Sequence, residues 1–247
     1  MLSRLAPLGW LAFAACGTAP APAAPPAPAA EVPAAAAAAD DDAELACTLV
    51  LLRTGTPPQP LTDDARRAAF QGHFTNMQRL AEAGDLLLAG PFGKQRAPDL
   101  RGLFVLDTAD PARARALAAS DPAVAAGIFV AELHPLRTRC DLREQLRRDL
   151  AAQAAIVASG RTPAPGEGGR GYVLLTAANG AAAEAAFAGH ERTLCFAWLD
   201  EGRALVFLDA KDCAEAQALL ADVAPSVGEH RLDDWYGSGL LVDVNRR

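Results

Sequence analysis

The stretch GLFVLDTAD at residues 102–110 is followed along the chain by ALVFLDAKD at residues 204–212. In each stretch an apolar run of strand length leads to an aspartate that can cap a helix. The helices that follow also match, with ARALA at residues 114–118 and AQALL at residues 216–220. This internal repeat predicts that the chain contains two copies of one folding unit.

The residues around the first stretch predict a complete unit of four strands and two helices. One helix is capped by Thr62 and ends at Gly84, and Asp110-Pro111 begins the other. The strands are expected at Cys47–Arg53, Leu86–Pro91, Gly102–Asp107 and Ile128–His134. The order β-α-β-β-α-β is that of a ferredoxin-like unit.

The second copy repeats this order in a shorter form. Its first helix, Ala181–Ala188, is much shorter than its counterpart, and its middle loop is reduced to a turn at Asp200–Gly202. The other elements are expected at Tyr172–Thr176, Thr193–Trp198, Ala204–Asp209, Asp212–Val223 and Glu229–Tyr236. The second copy is therefore interpreted as a degenerate version of the first.

An amphipathic helix is predicted between the copies, at Asp141–Ser159. Its apolar stripe consists of Leu142, Leu146, Leu150 and Ala154. We expect this helix to bridge the copies and to pack on one of them, and binding of a partner is the alternative.

The predicted strands are apolar on both faces rather than on alternate residues. A four-stranded sheet with helices on one side exposes its other face unless something covers it. The simplest cover is the sheet of the other copy. The predicted fold class is therefore α+β, with tandem ferredoxin-like units packed sheet against sheet in a single chain, as a monomeric pseudo-dimer. Its parts are residues 46–138, a connecting helix and loop at 139–170, and residues 171–247.

Composition excludes several classes of function. The net charge is −7, with 23 Lys and Arg against 30 Asp and Glu, and no basic run occurs. Nucleic acid is therefore not expected as a partner, because phosphate binding needs a positive patch. The four histidines have no paired spacing, and no glycine-rich phosphate loop is recognisable. Neither a metal nor another cofactor is expected.

The N-terminus predicts a lipoprotein of the bacterial cell envelope. Residues 1–15 combine one arginine with an apolar run too short to span a bilayer, as in a secretory signal. Phe13-Ala-Ala-Cys16 resembles a lipobox, and an ordinary cleaved signal is the alternative. Residues 16–45 are rich in Ala and Pro and should form an extended tether. We therefore expect attachment to the membrane through lipid on Cys16, with the body facing the periplasm.

The first copy also resembles a known family in several short motifs. They are VLLRTG at residues 50–55, Gly72-His73, AGDLLLAGPF at 83–92, LRGLFVLD at 100–107, SDPAVAAG at 120–127 and ELHP at 132–135. Together they resemble the YCII-related domain family over residues 47–137. The resemblance implies a ferredoxin-like fold that pairs as dimeric α+β barrels, and an active-site pair that corresponds here to His73 and Asp121.

Related barrels include isomerases and dehalogenases, so the resemblance implies general acid/base chemistry on a small molecule. His73 shares an apolar stripe with Phe70 and Met77, so it should face inward, as a base or as a core histidine. Asp121 precedes Pro122 and can cap a helical turn, orient His73, or do both. The alternative function is a non-catalytic binding or structural module.

The sequence predicts one such site per chain. Ala224 stands where Asp121 would align in the second copy, and the segment containing the histidine is missing there. His134, His190 and His230 are expected to have structural roles.

The cysteines beyond Cys16 allow disulfides if the protein lies outside the cytoplasm. Cys47 begins the first predicted strand, and Cys140 follows the fourth, which should be its antiparallel neighbour. A Cys47–Cys140 bridge is therefore predicted, with buried thiols as the alternative. Pairing of Cys195 with Cys213 is less favoured than buried thiols at those positions.

Overall fold

The computed structural model describes residues 44–162, 164, 167–223 and 227–241. The predicted signal at residues 1–15, the lipidation site Cys16, almost all of the tether, and Ala224 lie outside the described residues. The first strand begins at Leu45, which the sequence had assigned to the tether.

The described residues form an α+β fold. Its strands are β1 Leu45–Thr54, β2 Leu86–Pro91, β3 Leu100–Leu106, β4 Phe129–Thr138, β5 Gly169–Ala177, β6 Thr193–Leu199, β7 Ala204–Leu208 and β8 His230–Ser238. Its helices are α1 Asp63–Glu82, α2 Pro111–Ala119, α3 Pro122–Ala125, α4 Leu142–Ala158, α5 Gly180–Phe187 and α6 Cys213–Val223. A 3-10 turn follows β6 at Asp200–Gly202. The order of these elements agrees with the sequence prediction, and α3 is the helical turn expected after Asp121.

The strands form one antiparallel sheet in the order β2-β3-β1-β4-β6-β7-β5-β8. In its middle, β4 pairs with β6 from Leu136↔Leu199 to Thr138↔Ala197. Its two edges meet at the bridge between Phe92 and Trp235. The sheet is therefore a nearly closed barrel, which confirms the predicted α+β barrel class.

A glycine permits the approach of β2 to β8 where the barrel closes. A Cβ at Gly90 would collide with the carbonyl oxygen of Tyr236 and would lie 2.8 Å from Trp235 Nε1. Without a side chain at this position, the strands can meet.

Alternate residues of the strands serve two different cores. On β1, Leu49 faces the inside of the barrel, whereas Val50 and Leu52 face the helices. The inner core combines both halves and includes Leu49, Leu103, Leu136, Leu174, Leu205, Phe207 and Trp235. The two halves therefore share one inner core, and they are also joined edge to edge as one continuous sheet.

Helix α4 begins after its cap Asp141 and packs against β2 and α1, as expected for a connecting helix that packs on one half. Of its predicted stripe, Leu142 is buried and Ala154 is exposed. Gln145 and Asp149 are buried instead, and this departs from the predicted pattern.

These two polar side chains bind β8. Gln145 Nε2 donates to Ser238 Oγ at 3.0 Å, and Ser238 Oγ donates to Asp149 Oδ1 at 2.6 Å. Burial raises the pKa of Asp149 even though these partners act against it. The connecting helix is therefore tied to both halves.

The predicted Cys47–Cys140 disulfide is wrong, because Cys140 pairs with Cys195 at a Cα–Cα distance of 5.7 Å. Cys47 lies opposite Leu136 on β4, four residues before Cys140. The β4–β6 register, which places Thr138 opposite Ala197, brings Cys140 opposite Cys195 two residues later. The disulfide therefore reinforces the contact between the halves.

Cys47 and Cys213 are free and buried, which agrees with the alternative that the sequence left open. Burial raises the pKa of each thiol to about 12, and Asp234 adds to the effect at Cys213. Both are therefore protonated at neutral pH and weak nucleophiles. Within the described ranges, no helix is long and apolar enough to cross a membrane.

Candidate functional site

Helix α1 carries His73 on its buried face. The helix begins after Thr62, whose side chain accepts a hydrogen bond from Ala65 N at 3.1 Å. His73 is 8% exposed and shares this face with Met77 and Leu80. The helical spacing of apolar residues thus correctly predicted that His73 faces inward.

A glycine next to His73 lets α3 approach α1 closely. A Cβ at Gly72 would lie only 2.8 Å from Pro122 Cγ. Pro122 is the first residue of α3, and Asp121 immediately precedes it. Gly72 therefore allows the carboxylate of Asp121 to reach the ring of His73.

Asp121 combines the two roles that the sequence had left open. Its Oδ1 accepts hydrogen bonds from Ala123 N at 2.8 Å and Val124 N at 3.4 Å, which caps α3. Its Oδ2 lies 2.6 Å from Nδ1 of His73. With Asp121 ionised, Nδ1 is the donor, so a neutral His73 carries its proton on Nδ1.

Three aromatic rings surround His73. The ring centroids of Phe74, Phe104 and Phe129 lie 5.3, 5.8 and 5.6 Å from that of His73. The His73 side chain is 10% exposed, and its Nε2 makes no hydrogen bond to any residue that the structure describes. The second ring nitrogen of His73 is therefore left without a protein partner in the described part of the chain, among these aromatic rings.

A polar group that the sequence analysis missed lies one turn further along α1. Asn76 is buried, and its Nδ2 donates to Ser120 Oγ at 3.3 Å, while Arg79 donates to Asn76 Oδ1 at 2.8 Å. These contacts hold the residue before Asp121 against α1. The signal in the sequence was a polar residue three positions after His73, on the same helical face.

His134 lies inside the barrel, on the opposite face of the sheet. Its Nε2 is 2.9 Å from Glu132 Oε1, and its Nδ1 is 3.5 Å from Asp200 Oδ2. Burial raises the pKa of Glu132, but Arg53 and His134 outweigh burial and hold that pKa below its ordinary value of 4.5. In the same way, Arg203 and His134 overcome burial and lower the pKa of Asp200.

The remaining histidines make local contacts. His190 Nδ1 accepts from Arg192 N at 3.1 Å, and His230 Nδ1 lies 2.7 Å from the carbonyl oxygen of Gly228. Among the described residues, no three His, Cys, Asp or Glu side chains are grouped so that they could hold a metal ion.

A protein-family model matches residues 48–137, a range that contains both His73 and Asp121. This part of the chain is a YCII-related domain. The match confirms the resemblance seen in the sequence motifs. No curated protein and no solved structure matches the chain. The YCII-related domain contributes β1 to β4 with α1 to α3, and the other half of the barrel lies outside the match.

Proposed function

We propose that the YCII-related domain catalyses general acid/base chemistry on a small molecule, with His73 as the group that transfers the proton. The observation that carries this proposal is the 2.6 Å contact between His73 Nδ1 and the buried Oδ2 of Asp121. Asp121 is a positioning residue, because it fixes the ring and the tautomer without reaching the substrate.

The chemistry follows from the two ring nitrogens. Nε2 accepts a proton from an acidic C–H of the substrate, and the resulting imidazolium is stabilised by the Asp121 carboxylate. Returning this proton to another carbon gives isomerisation. Expulsion of a leaving group by the electron pair of the broken C–H bond gives elimination. The non-catalytic alternative, a binding or structural module, needs no exchange at Nε2.

Chemical modification of His73 tests the proposal without a known substrate. In the full-length protein, Nε2 of His73 should react with diethylpyrocarbonate, and mass spectrometry should locate the adduct on this residue. His73→Gln should lose this adduct, and His230→Gln is the matched control outside the site. A His73 that does not react would favour the non-catalytic alternative.

We also propose that the protein is a lipoprotein of the bacterial envelope, anchored through Cys16 and facing the periplasm. The proposal rests on the short apolar run before Cys16 and on the Ala- and Pro-rich tether after it. Cys16→Ser should release the protein from the membrane fraction, whereas the control Cys213→Ser should remain there. Retention of the Cys16→Ser protein on the membrane would contradict the proposal.

We further propose that the two halves are ferredoxin-like units, the second a degenerate copy, within a monomer. Support comes from the sequence repeat and from the corresponding strand orders β2-β3-β1-β4 and β6-β7-β5-β8. Helix α5 has 8 residues where α1 has 20, so the second half has no counterpart of the helix turn that carries His73.

A further inference from the structure

A cavity of about 60 Å³ lies inside the barrel. It is separated from His73 by the sheet, since Leu103 lines it whereas Phe104, the next residue, contacts His73. Leucines of both halves form its apolar part: Leu49, Leu51, Leu103, Leu174, Leu199 and Leu205. One water needs about 10–15 Å³ of such volume. The cavity therefore has room for a ligand of roughly four to six non-hydrogen atoms.

The carboxylates that line this cavity are already paired within the protein. Glu132 contacts His134 at 2.9 Å through Oε1 and Arg53 through Oε2. Asp233, whose side chain is 1% exposed, accepts from Ala97 N at 3.0 Å and from Arg231 Nε at 2.6 Å. These acceptors are therefore not the groups that would recognise a ligand.

The arginines that line the cavity have donors left over. Each guanidinium has five N–H groups, and Arg203 uses its NH2 group on Asp200. Its Nε is buried without a partner among the residues that the structure describes. Arg231 binds Asp233 through Nε, which leaves its two terminal NH2 groups. The Arg231 side chain is 42% exposed, so Arg203 Nε is the buried donor that needs an acceptor, because a buried donor without an acceptor is unfavourable. A ligand for this cavity should therefore bring an acceptor oxygen to Arg203 Nε, and Arg231 can bind the same ligand through its terminal NH2 groups.

The charges restrict the ligand further. Three arginines and two carboxylates line the cavity, and Asp200, which pairs with Arg203, balances the third arginine. Because these formal charges cancel, a monoanion adds less unbalanced charge to the cavity than a dianion such as phosphate would. The leucines favour an alkyl group on the same molecule.

We propose that this cavity is a binding site for a short-chain monocarboxylate, whose carboxylate binds Arg203 and Arg231 and whose alkyl chain contacts the leucines. The site goes beyond the proposed function, because it lies on the other face of the sheet and uses residues of both halves.

Butyrate is the probe, and butyramide is its uncharged counterpart of nearly the same shape. Ligand titrations of the full-length protein, followed by NMR, should show saturable binding of butyrate with a Kd of roughly 1 mM. Arg203→Gln should weaken binding at least about tenfold, because a charge-assisted hydrogen bond is lost. Arg113→Gln, at an exposed arginine of α2, is the matched control and should bind as the wild type does.

A second variant tests the cavity itself. Leu205→Phe should fill the apolar part and abolish binding while every arginine remains, and thermal melting verifies that the variant is folded. The proposal is overturned if butyrate does not saturate, if butyramide binds equally well, or if both variants bind normally. His73→Gln should bind butyrate as the wild type does, so the barrel site and the His73 proposal can fail separately.

Discussion

Removing the Cys140–Cys195 disulfide should lower the free energy of unfolding by about 4 kcal/mol. The bond joins residues separated by 55 positions in the sequence. On the chain-entropy model, a crosslink over such a loop lowers the entropy of the unfolded chain by about 14 cal/mol/K, which gives this value at 25 °C. For a body that spans residues 44–241, the corresponding decrease in Tm is about 10 °C.

Urea denaturation measures this effect in two independent ways. The variant Cys140→Ala/Cys195→Ala is compared with the wild type, and each is measured with and without a thiol reductant. Reduction should destabilise the wild type and leave the double variant unchanged. Cys47→Ala, which alters a free thiol, should keep the full response to reductant.

The reduced wild type is the decisive sample, because it retains every side-chain atom of both cysteines. A loss of less than about 1 kcal/mol on reduction would refute the loop-closure reasoning, since it would mean that the unfolded chain gains little freedom. A large loss in the double variant without a loss on reduction would assign the effect to packing around Cys195, which is 2% exposed.

Three further perturbations test other contacts of the barrel. Gly72→Ala should destabilise the protein by about 1–3 kcal/mol in urea denaturation, because the added Cβ would press on Pro122. In a solvent-exposed helix the same substitution would stabilise the protein, so stabilisation here would contradict the close approach of α3. The pKa of Asp149 is raised in the folded state, so the folded protein keeps the Asp149 carboxyl protonated to higher pH than the unfolded chain does. The free energy of unfolding should therefore rise as the pH falls from the folded-state pKa toward the ordinary value of 3.8. Asp149→Asn should remove this rise relative to wild type, and identical pH profiles would contradict it. A chain ending at Arg139 should dimerise or aggregate in sedimentation measurements, because the inner leucines of the first half lose their cover; a well-behaved monomer would count against the pseudo-dimer.

Local signals predicted the secondary structure well. Asp110 and Asp121 each precede a proline, and each caps a helix as expected. The inward position of His73 followed from helical spacing alone. The contact of His73 with Asp121 was implied by the family resemblance, because residues 48 positions apart give no local signal that they meet.

Features that depend on how the two halves meet could not be predicted in the same way. The partner of Cys140 is fixed by the β4–β6 register, and nothing within either strand specifies that register. Gln145 and Asp149 were not assigned to the buried face of α4, because a pattern of apolar residues does not reveal that Ser238 will supply their hydrogen bonds. The charged lining of the barrel was missed for the same reason, since it is assembled from both halves.

The two places where the halves join differ in covalent support, and this gives the barrel a hinge and a latch. At the hinge, β4 and β6 share three register pairs and a disulfide. At the latch, the bridge between Phe92 and Trp235 is supported only by hydrogen bonds among the described residues: Gly93 N to Asp234 O, Asp234 N to Gln95 O, and those from Gln95 N and Ala97 N to the carboxylates of Asp234 and Asp233. A barrel that breathes will therefore separate β2 from β8 first, and the amide hydrogens of Gly93 and Asp234 will exchange with solvent before those of the β4–β6 ladder.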